Sequence, residues 1–394
     1  MVNKKVFHIF TAVITITFLS FGNAFAIEIT LGPYLQKIQE NSAVIAFETD
    51  KAKKLTLDYG ENIAAFESIT ENTKSKKHKI VIKNLSPFTK YYYEIRAGDK
   101  DLAQGDSYHF FTSKGANAED ITFAVIGDSG DRTSGQEDVI REIKSADPDF
   151  ILHTGDIAYP SGSNDDFRDN YFAPFSTLLR NTCIWTSPGN HEYKSNDGSP
   201  YFKFFYLPRN NPAKSENYYS FDYGSSHFVS IDTTLFEEDE NRRKKIIKWL
   251  KEDLASTDKI WKFVFFHYPP YNCGYHSASD LVKEKLVPIF EQYNVDIVFS
   301  GHDHDYQRTY PLINGDKKNA GDDPDYVDPA GPIYIITGGG GSDRIDDVGN
   351  DCNFLVYGKG AYHFVKVTIS GNLLTLKAIG TNGNAFDAMT ITKN

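Results

Sequence analysis

Residues 121–130 read Ile121-Thr122-Phe123-Ala124-Val125-Ile126-Gly127-Asp128-Ser129-Gly130, an apolar run that stops on a glycine and an aspartate. A continuous apolar run of this length predicts a strand covered on both faces. The pattern recurs at 150–156, where Phe150-Ile151-Leu152-His153 leads through Thr154 to Gly155-Asp156. Between the two runs, 136–144 has helical spacing. Downstream, 242–254 and 280–293 also read as helices, each leading to a strand, at 263–266 and 296–299. Strands alternating with helices predict an α/β domain over 120–394 with a covered sheet.

Upstream the rhythm is different. From 27 to 115 short alternating segments (43–47, 54–59, 78–82 and 91–95) read as strands separated by turn-prone residues, with no convincing helix between them. This is the pattern of a small all-β sandwich. The run Leu85-Ser86-Pro87-Phe88-Thr89-Lys90-Tyr91 resembles the signature that precedes the central tyrosine strand of fibronectin type III domains. Gly115-Ala116-Asn117-Ala118 reads as a linker to the second domain.

The first 26 residues read as an address, not as fold. Lys4 and Lys5 precede an apolar run over 6–21, and Ala24-Phe25-Ala26 gives the small-x-small pattern of a signal peptidase site. This predicts a signal peptide cut after Ala26 and a secreted or periplasmic product. Thr11, Thr15, Thr17 and Ser20 interrupt the run and argue against a retained membrane anchor. Removing the two lysines takes the formal charge from −11 to −13, the opposite of a nucleic-acid footprint. Three cysteines are too few for a disulfide scaffold. Cys273 and Cys352 lie in loop-like contexts, free to pair in an oxidising compartment, while Cys183 sits in the apolar stretch Cys183-Ile184-Trp185.

Five segments place metal-competent side chains just beyond a predicted strand: Gly127-Asp128, Gly155-Asp156-Ile157-Ala158-Tyr159, Gly189-Asn190-His191-Glu192, Phe266-His267, and Gly301-His302-Asp303-His304. In an open α/β sheet such loops converge beyond the carboxyl ends of the strands. Each segment alone has a bland reading, as a turn or a structural histidine. Together they supply three histidines, two aspartates, an asparagine and a tyrosine, enough for two ions. Mixed oxygen and nitrogen donors suit borderline transition metals, not an all-oxygen calcium site.

In these motifs the chain resembles the purple acid phosphatases of the metallophosphoesterase superfamily, from about residue 27 to the end, which implies an α/β metallophosphatase sandwich of two β-sheets flanked by helices after the all-β fibronectin III-like sandwich. The run Gly301-His302-Asp303-His304-Asp305-Tyr306-Gln307-Arg308-Thr309-Tyr310-Pro311 is similar to that family's last ligand motif. Tyr159, three residues after Asp156, occupies the position that sets the family apart from other two-metal phosphoesterases. The resemblance implies that Asp128, Tyr159 and His304 hold a ferric ion. It further implies that Asn190, His267 and His302 hold a divalent ion (Fe, Zn or Mn), and that Asp156 bridges the two. A hard ferric ion prefers the anionic oxygens of a phenolate and two carboxylates. The implied activity is acid phosphatase action on small phosphate monoesters, by a hydroxide generated between ions roughly 3.5–4 Å apart.

His191 and His276 are the implied catalytic residues: His191 as a phosphate contact, and His276 as phosphate binder or general acid. An exposed loop histidine is the competing reading of His276. Glu192 stands where related phosphoesterases often carry aspartate, and purple phosphatases commonly carry glutamate there. His153 and His363 read as structural. Gly338-Gly339-Gly340-Gly341 lacks the Lys-Ser/Thr of a phosphate loop and reads as a tight turn beside the cleft. The same metals would serve a phosphodiesterase or nucleotidase, whose distinguishing loops lie at 161–168 and 319–328. A non-catalytic adhesion module would have no use for seven ligand positions.

Overall fold

The computed structural model describes residues 27–318, 324–349 and 351–394. The segment read as a signal peptide, 1–26, and part of the 319–328 loop lie outside them. Where the sequence shows alternation, the backbone is extended and one face is buried. In Ser75–Lys83 the residues His78, Ile80 and Ile82 point inward, and in Lys90–Ala97 Tyr91, Tyr93 and Ile95 do so. These strands belong to two antiparallel sheets. One orders Ile29–Gln36, Ser42–Lys53 and Ser75–Lys83; the other orders Ala65–Thr70, Thr56–Asn62, Lys90–Ala97 and Lys100–Ala103, with His109–Phe111 also paired to Lys90–Ala97. The Ser86 N–H donates to Tyr91 Oη at 3.0 Å, fixing the corner before the tyrosine strand.

Beyond residue 120 two seven-stranded sheets face each other. The first runs Cys183–Thr186, Phe150–His153, Asp120–Ile126, then His363–Ser370, Leu373–Gly380, Ala385–Thr392 and Asp325–Val327. Its first three strands are parallel. The second runs Tyr218–Tyr223, Ser226–Ile231, Trp261–Phe265, Ile297–Ser300, Ile333–Thr337, Tyr306–Thr309 and Leu355–Lys359, parallel from its second to its fifth strand. The buried ring of Phe123 joins the sheets, lying within 5.3 Å of Phe150 on its own sheet and of Phe228 and Phe263 opposite.

The helices cover the outer faces. Ser134–Ala146 starts two residues earlier than its spacing predicts because the Thr133 hydroxyl accepts from the Gln136 N–H. Glu240–Ser256 and Asp280–Gln292 are capped in the same way by Asp239 and Ser279. The helical turns over 164–179 carry no marker that the sequence reading used. Among the described residues no helix is long and apolar enough to cross a membrane. The segment read as a linker is fastened at both ends, with Lys259 Nζ donating to Ala116 O and the Ser225 N–H to Ala118 O. The N-terminal sheets share a continuous apolar core with the larger part of the chain. Tyr34 Oη donates to Phe204 O at 2.7 Å and Tyr93 Oη to Arg180 O at 2.9 Å across that junction.

Candidate metal centre

The parallel strands of both sheets end at one edge, and the five motifs leave the fold there. Asp128 follows Asp120–Ile126, Asp156 follows Phe150–His153, Asn190 opens the short turn Asn190–Tyr193 after Cys183–Thr186, His267 follows Trp261–Phe265, and His302 follows Ile297–Ser300. Asp128, Asp156 and His302 adopt left-handed backbone, with φ of 55°, 50° and 75°. Non-glycine residues seldom adopt it, and the strain concentrates at functional sites. Glycines make room for this crowding: a Cβ on Gly189 would overlap Asp156 Oδ1, and one on Gly301 would overlap Asp128 Oδ2.

The side chains sort into two groups. Tyr159 Oη lies 3.1 Å from Asp128 Oδ1 and 3.0 Å from His304 Nε2. On the other side, His267 Nε2 lies 3.0 Å from Asn190 Oδ1. The His302 ring stands 5.0 Å from that of His267, and Asp156, His267 and His302 bring ligand atoms close enough to share a cation. Asp156 touches both groups, with Oδ2 3.4 Å from Tyr159 Oη and 3.3 Å from His267 Nε2.

Outer contacts aim these donors. His267 Nδ1 faces the Thr154 carbonyl at 3.2 Å; a carbonyl only accepts, so the ring hydrogen sits there and Nε2 is left to the site. His304 Nδ1 is 2.9 Å from Ser342 Oγ. Glu192, fully buried, accepts from the N–H groups of Ile157 (2.8 Å), Ala158 (3.2 Å) and Gly189 (2.8 Å) and so ties the Asp156 loop to the Asn190 loop.

The electrostatics are those of a pocket built around positive charge. Among the described residues, Asp128 and Asp156 are buried with no Lys or Arg ion pair; their cationic neighbours are histidines. Burial, with the Asp156 charge behind it, pushes the Asp128 carboxyl well up. Burial opposes ionisation of Asp156 too, yet His267 and His191 hold its carboxyl far below the usual range. Burial is likewise overcome at His267, which Asp156 and Asp128 lift to about 9. Burial and then Asp128 raise the Tyr159 phenol well above its ordinary value. Cations among these donors would offset the burial of the Asp128 and Asp156 carboxylates and of a Tyr159 phenolate. The donor set therefore fits two ions.

His191 and His276 flank the resulting cleft of about 400 Å³. The His191 N–H donates to Asp156 Oδ1 at 2.8 Å, and its ring lies between Pro160 O and Lys194 Nζ. The His276 ring stacks on His302 at 4.2 Å while its N–H donates to Asp303 Oδ1 at 2.9 Å. His276 is thus a cleft residue. Cys273 and Cys352 form a disulfide that fastens its loop, and Cys183 is free and buried in its strand. His153 bonds Ser129 Oγ at 2.8 Å and His363 lies 3.1 Å from Thr337 Oγ1, both buried under the site. The four glycines turn against the site, where the Gly340 N–H donates to Gly127 O and the Ser342 N–H to Asp128 O. Asp131, Asp343 and Arg344, which the sequence reading did not single out, also line the cleft, and Lys194 reaches its His191. They sit on loops with no motif, so their only sequence signal was adjacency to His191, to Gly127–Gly130 and to the glycine run.

Residues 121–306 match the calcineurin-like phosphoesterase family. Purple acid phosphatase 15 of Arabidopsis thaliana is 28% identical over 327 residues, covering 74% of this chain and 58% of that protein. Acid phosphatase type 7 of Mus musculus is 29% identical over 294 residues, covering 68% and 65%. The chain thus spans about three fifths of the length of these curated relatives. The purple acid phosphatase from yellow lupin (Lupinus luteus) seeds shares the fold, with a TM-score of 0.77 at 20% identity, over 92% of this chain and 74% of that one. Strand-end motifs, domain match and fold agree: residues 121–306 carry a calcineurin-like phosphoesterase domain, and the chain is similar to purple acid phosphatases.

Proposed function

We propose that the protein is a secreted or periplasmic acid phosphatase that hydrolyses small phosphate monoesters at a dinuclear site holding Fe(III) and one divalent ion (Fe, Zn or Mn). The observation that carries this reading is the carboxylate of Asp156, set 3.4 Å from Tyr159 Oη and 3.3 Å from His267 Nε2, between an oxygen-rich and a nitrogen-rich donor group. In this reading Asp128, Tyr159 and His304 hold the ferric ion, Asn190, His267 and His302 the divalent one, and Asp156 bridges. When bound, two such ions polarise phosphoryl oxygens and lower the pKa of water.

The chain's own residues do the rest. Lys194 donates to Nε2 of His191 at 2.6 Å, which keeps that imidazole neutral and leaves the ammonium as the positive charge nearest the phosphate on that side. His276, on the opposite wall, stands where it can hand a proton to the departing oxygen. Its backbone is held by Asp303 and its loop by the disulfide, so the ring needs no reorganisation. The disulfide is also consistent with an oxidising compartment and an N-terminus at Ile27. Neither a nucleic-acid partner nor a membrane anchor belongs to this reading.

Assays of p-nitrophenyl phosphate against bis(p-nitrophenyl) phosphate, with metal content measured on the same sample, test it. The monoester is the better substrate and two ions are bound per chain. A preference for the bis ester makes the protein a phosphodiesterase, and inactivity on both with two ions bound ends the hydrolase reading.

A further inference from the structure

We infer that Tyr275 and Arg344 form a stacking platform for a planar aromatic leaving group at the mouth of the cleft, an inference that rests on the phosphate-ester hydrolysis proposed above. Tyr275 is 67% exposed, the most exposed large apolar or aromatic side chain among the described residues. A lone exposed tyrosine on a surface loop needs no explanation. This one is on a loop fastened at every neighbouring residue. Asn272 Nδ2 donates to His276 O at 2.8 Å, the Cys273 N–H to Gln307 Oε1 at 2.8 Å, and the Gly274 N–H to Asn272 Oδ1 at 2.8 Å. The His276 N–H bonds Asp303, the Gly349 N–H donates to Cys273 O at 2.7 Å, and Cys273 is covalently tied to Cys352.

These bonds hold the loop on both sides of Tyr275, and the ring lies beside the chemistry. It meets the His276 ring edge-on at 5.0 Å, and His276 in turn stacks on His302. The Arg344 guanidinium lies 4.3 Å from the Tyr275 ring centre and is held by Asp346 at 2.7 Å. Arg344 and His276 both line the cleft with Asp156 and Tyr159. A phosphate held over Asp156 directs its ester substituent toward the mouth, where a tyrosine ring and a guanidinium plane are already in place. Both stack on planar π systems, and a preset ring loses little freedom on binding. An aliphatic alcohol or bare sugar gains nothing there.

Adenosine 5′-monophosphate and ribose 5-phosphate share the same primary alkoxide and phosphate and differ at C1, which carries the base in one and a hydroxyl in the other. The wild type prefers the nucleotide in kcat/KM by on the order of tenfold, the scale of one base–aromatic stack, with the difference in KM. Tyr275→Ala brings that ratio close to one, and Tyr275→Phe keeps it, because the ring and not the hydroxyl does the stacking. A wild-type ratio near one, or a ratio that survives Tyr275→Ala, overturns the platform. If neither ester is hydrolysed, the hydrolase reading fails on its own. The same ratio is then read from dissociation constants by calorimetry on the metal-loaded protein, wild type against Tyr275→Ala, and the same two outcomes decide.

Discussion

Tyr159 carries the finest part of the assignment, since it separates an iron-phenolate centre from a generic two-metal site. Its hydroxyl is buried 3.1 Å from Asp128 Oδ1 and 3.0 Å from His304 Nε2, and burial beside Asp128 keeps it a phenol unless a hard cation takes its proton. On the proposed assignment, iron-loaded wild type is expected to be coloured by phenolate-to-iron charge transfer. Tyr159→Phe bleaches the band while iron stays bound through Asp128, Asp156 and His304; an unchanged spectrum in the variant removes Tyr159 from the ligand set. Asp156→Asn is more severe: it removes the one anionic group in contact with both donor groups, so both ions loosen and turnover is lost. Near-normal activity with full metal content would contradict its bridging place. His276→Ala slows esters of basic alkoxides by about 10²–10⁴-fold and p-nitrophenyl phosphate much less; equal losses assign it to phosphate binding instead. Asp156 and Tyr159 were legible because they follow a short apolar run and a local turn, a pattern that survives in one dimension; His276 was implied only by the resemblance. Arg344 and Tyr275 were not legible, because nothing local to 342–346 or 272–276 says which loops meet.

At the scale of elements, the site depends on loops holding one another. The loop after Phe150–His153 and the turn Asn190–Tyr193 have no ladder between them; Glu192 supplies the connection by accepting three N–H groups. Its carboxyl is pushed up to about 7 by burial and by Asp156. Glu192→Ala leaves three buried donors unsatisfied, at roughly 1–3 kcal/mol each before relaxation. It is expected to lower thermal stability and to weaken metal binding at Asp156 and Asn190 together. Glu192→Gln, which keeps one acceptor oxygen, recovers part of both. A Glu192→Ala protein with wild-type melting and metal content would show that the loops stand without it. Strand identity was readable from apolar runs, and helix identity from spacing. The helical turns over 164–179 went unread although Phe167, Tyr171, Phe175 and Leu178 are buried at spacings of three or four residues; Pro174 and the π-helical course of Phe167–Phe172 interrupt the run.

At the scale of the whole molecule, the sequence suggested two units joined by a linker, and the structure shows a shared core with buried tyrosines crossing it. Non-local packing of this kind has no sequence period. The global stability also contains a titrating element remote from the metal centre. His227, in Ser226–Ile231, is held between Asp222 at 2.7 Å and Asp253 at 2.9 Å, and Asp253 also accepts from Ser220 Oγ at 2.7 Å. Burial disfavours the imidazolium, but the two carboxylates outweigh it and lift the group from its usual 6.5 to about 9. A group whose folded value is raised binds its proton more tightly when folded. Its contribution is therefore complete below about pH 6.5 and is lost as the pH rises through about 9. The size is on the order of 1–3 kcal/mol at the low end, reduced because the Asp222 side chain is half-exposed and screened by solvent. His227→Gln keeps the shape and one hydrogen bond but not the charge. Denaturant unfolding of wild type and variant at pH 6 and pH 9.5 should show a stability gap that is wide at the first and narrow at the second. A gap of equal width at both would mean that His227 acts through packing, with its charge irrelevant to the fold.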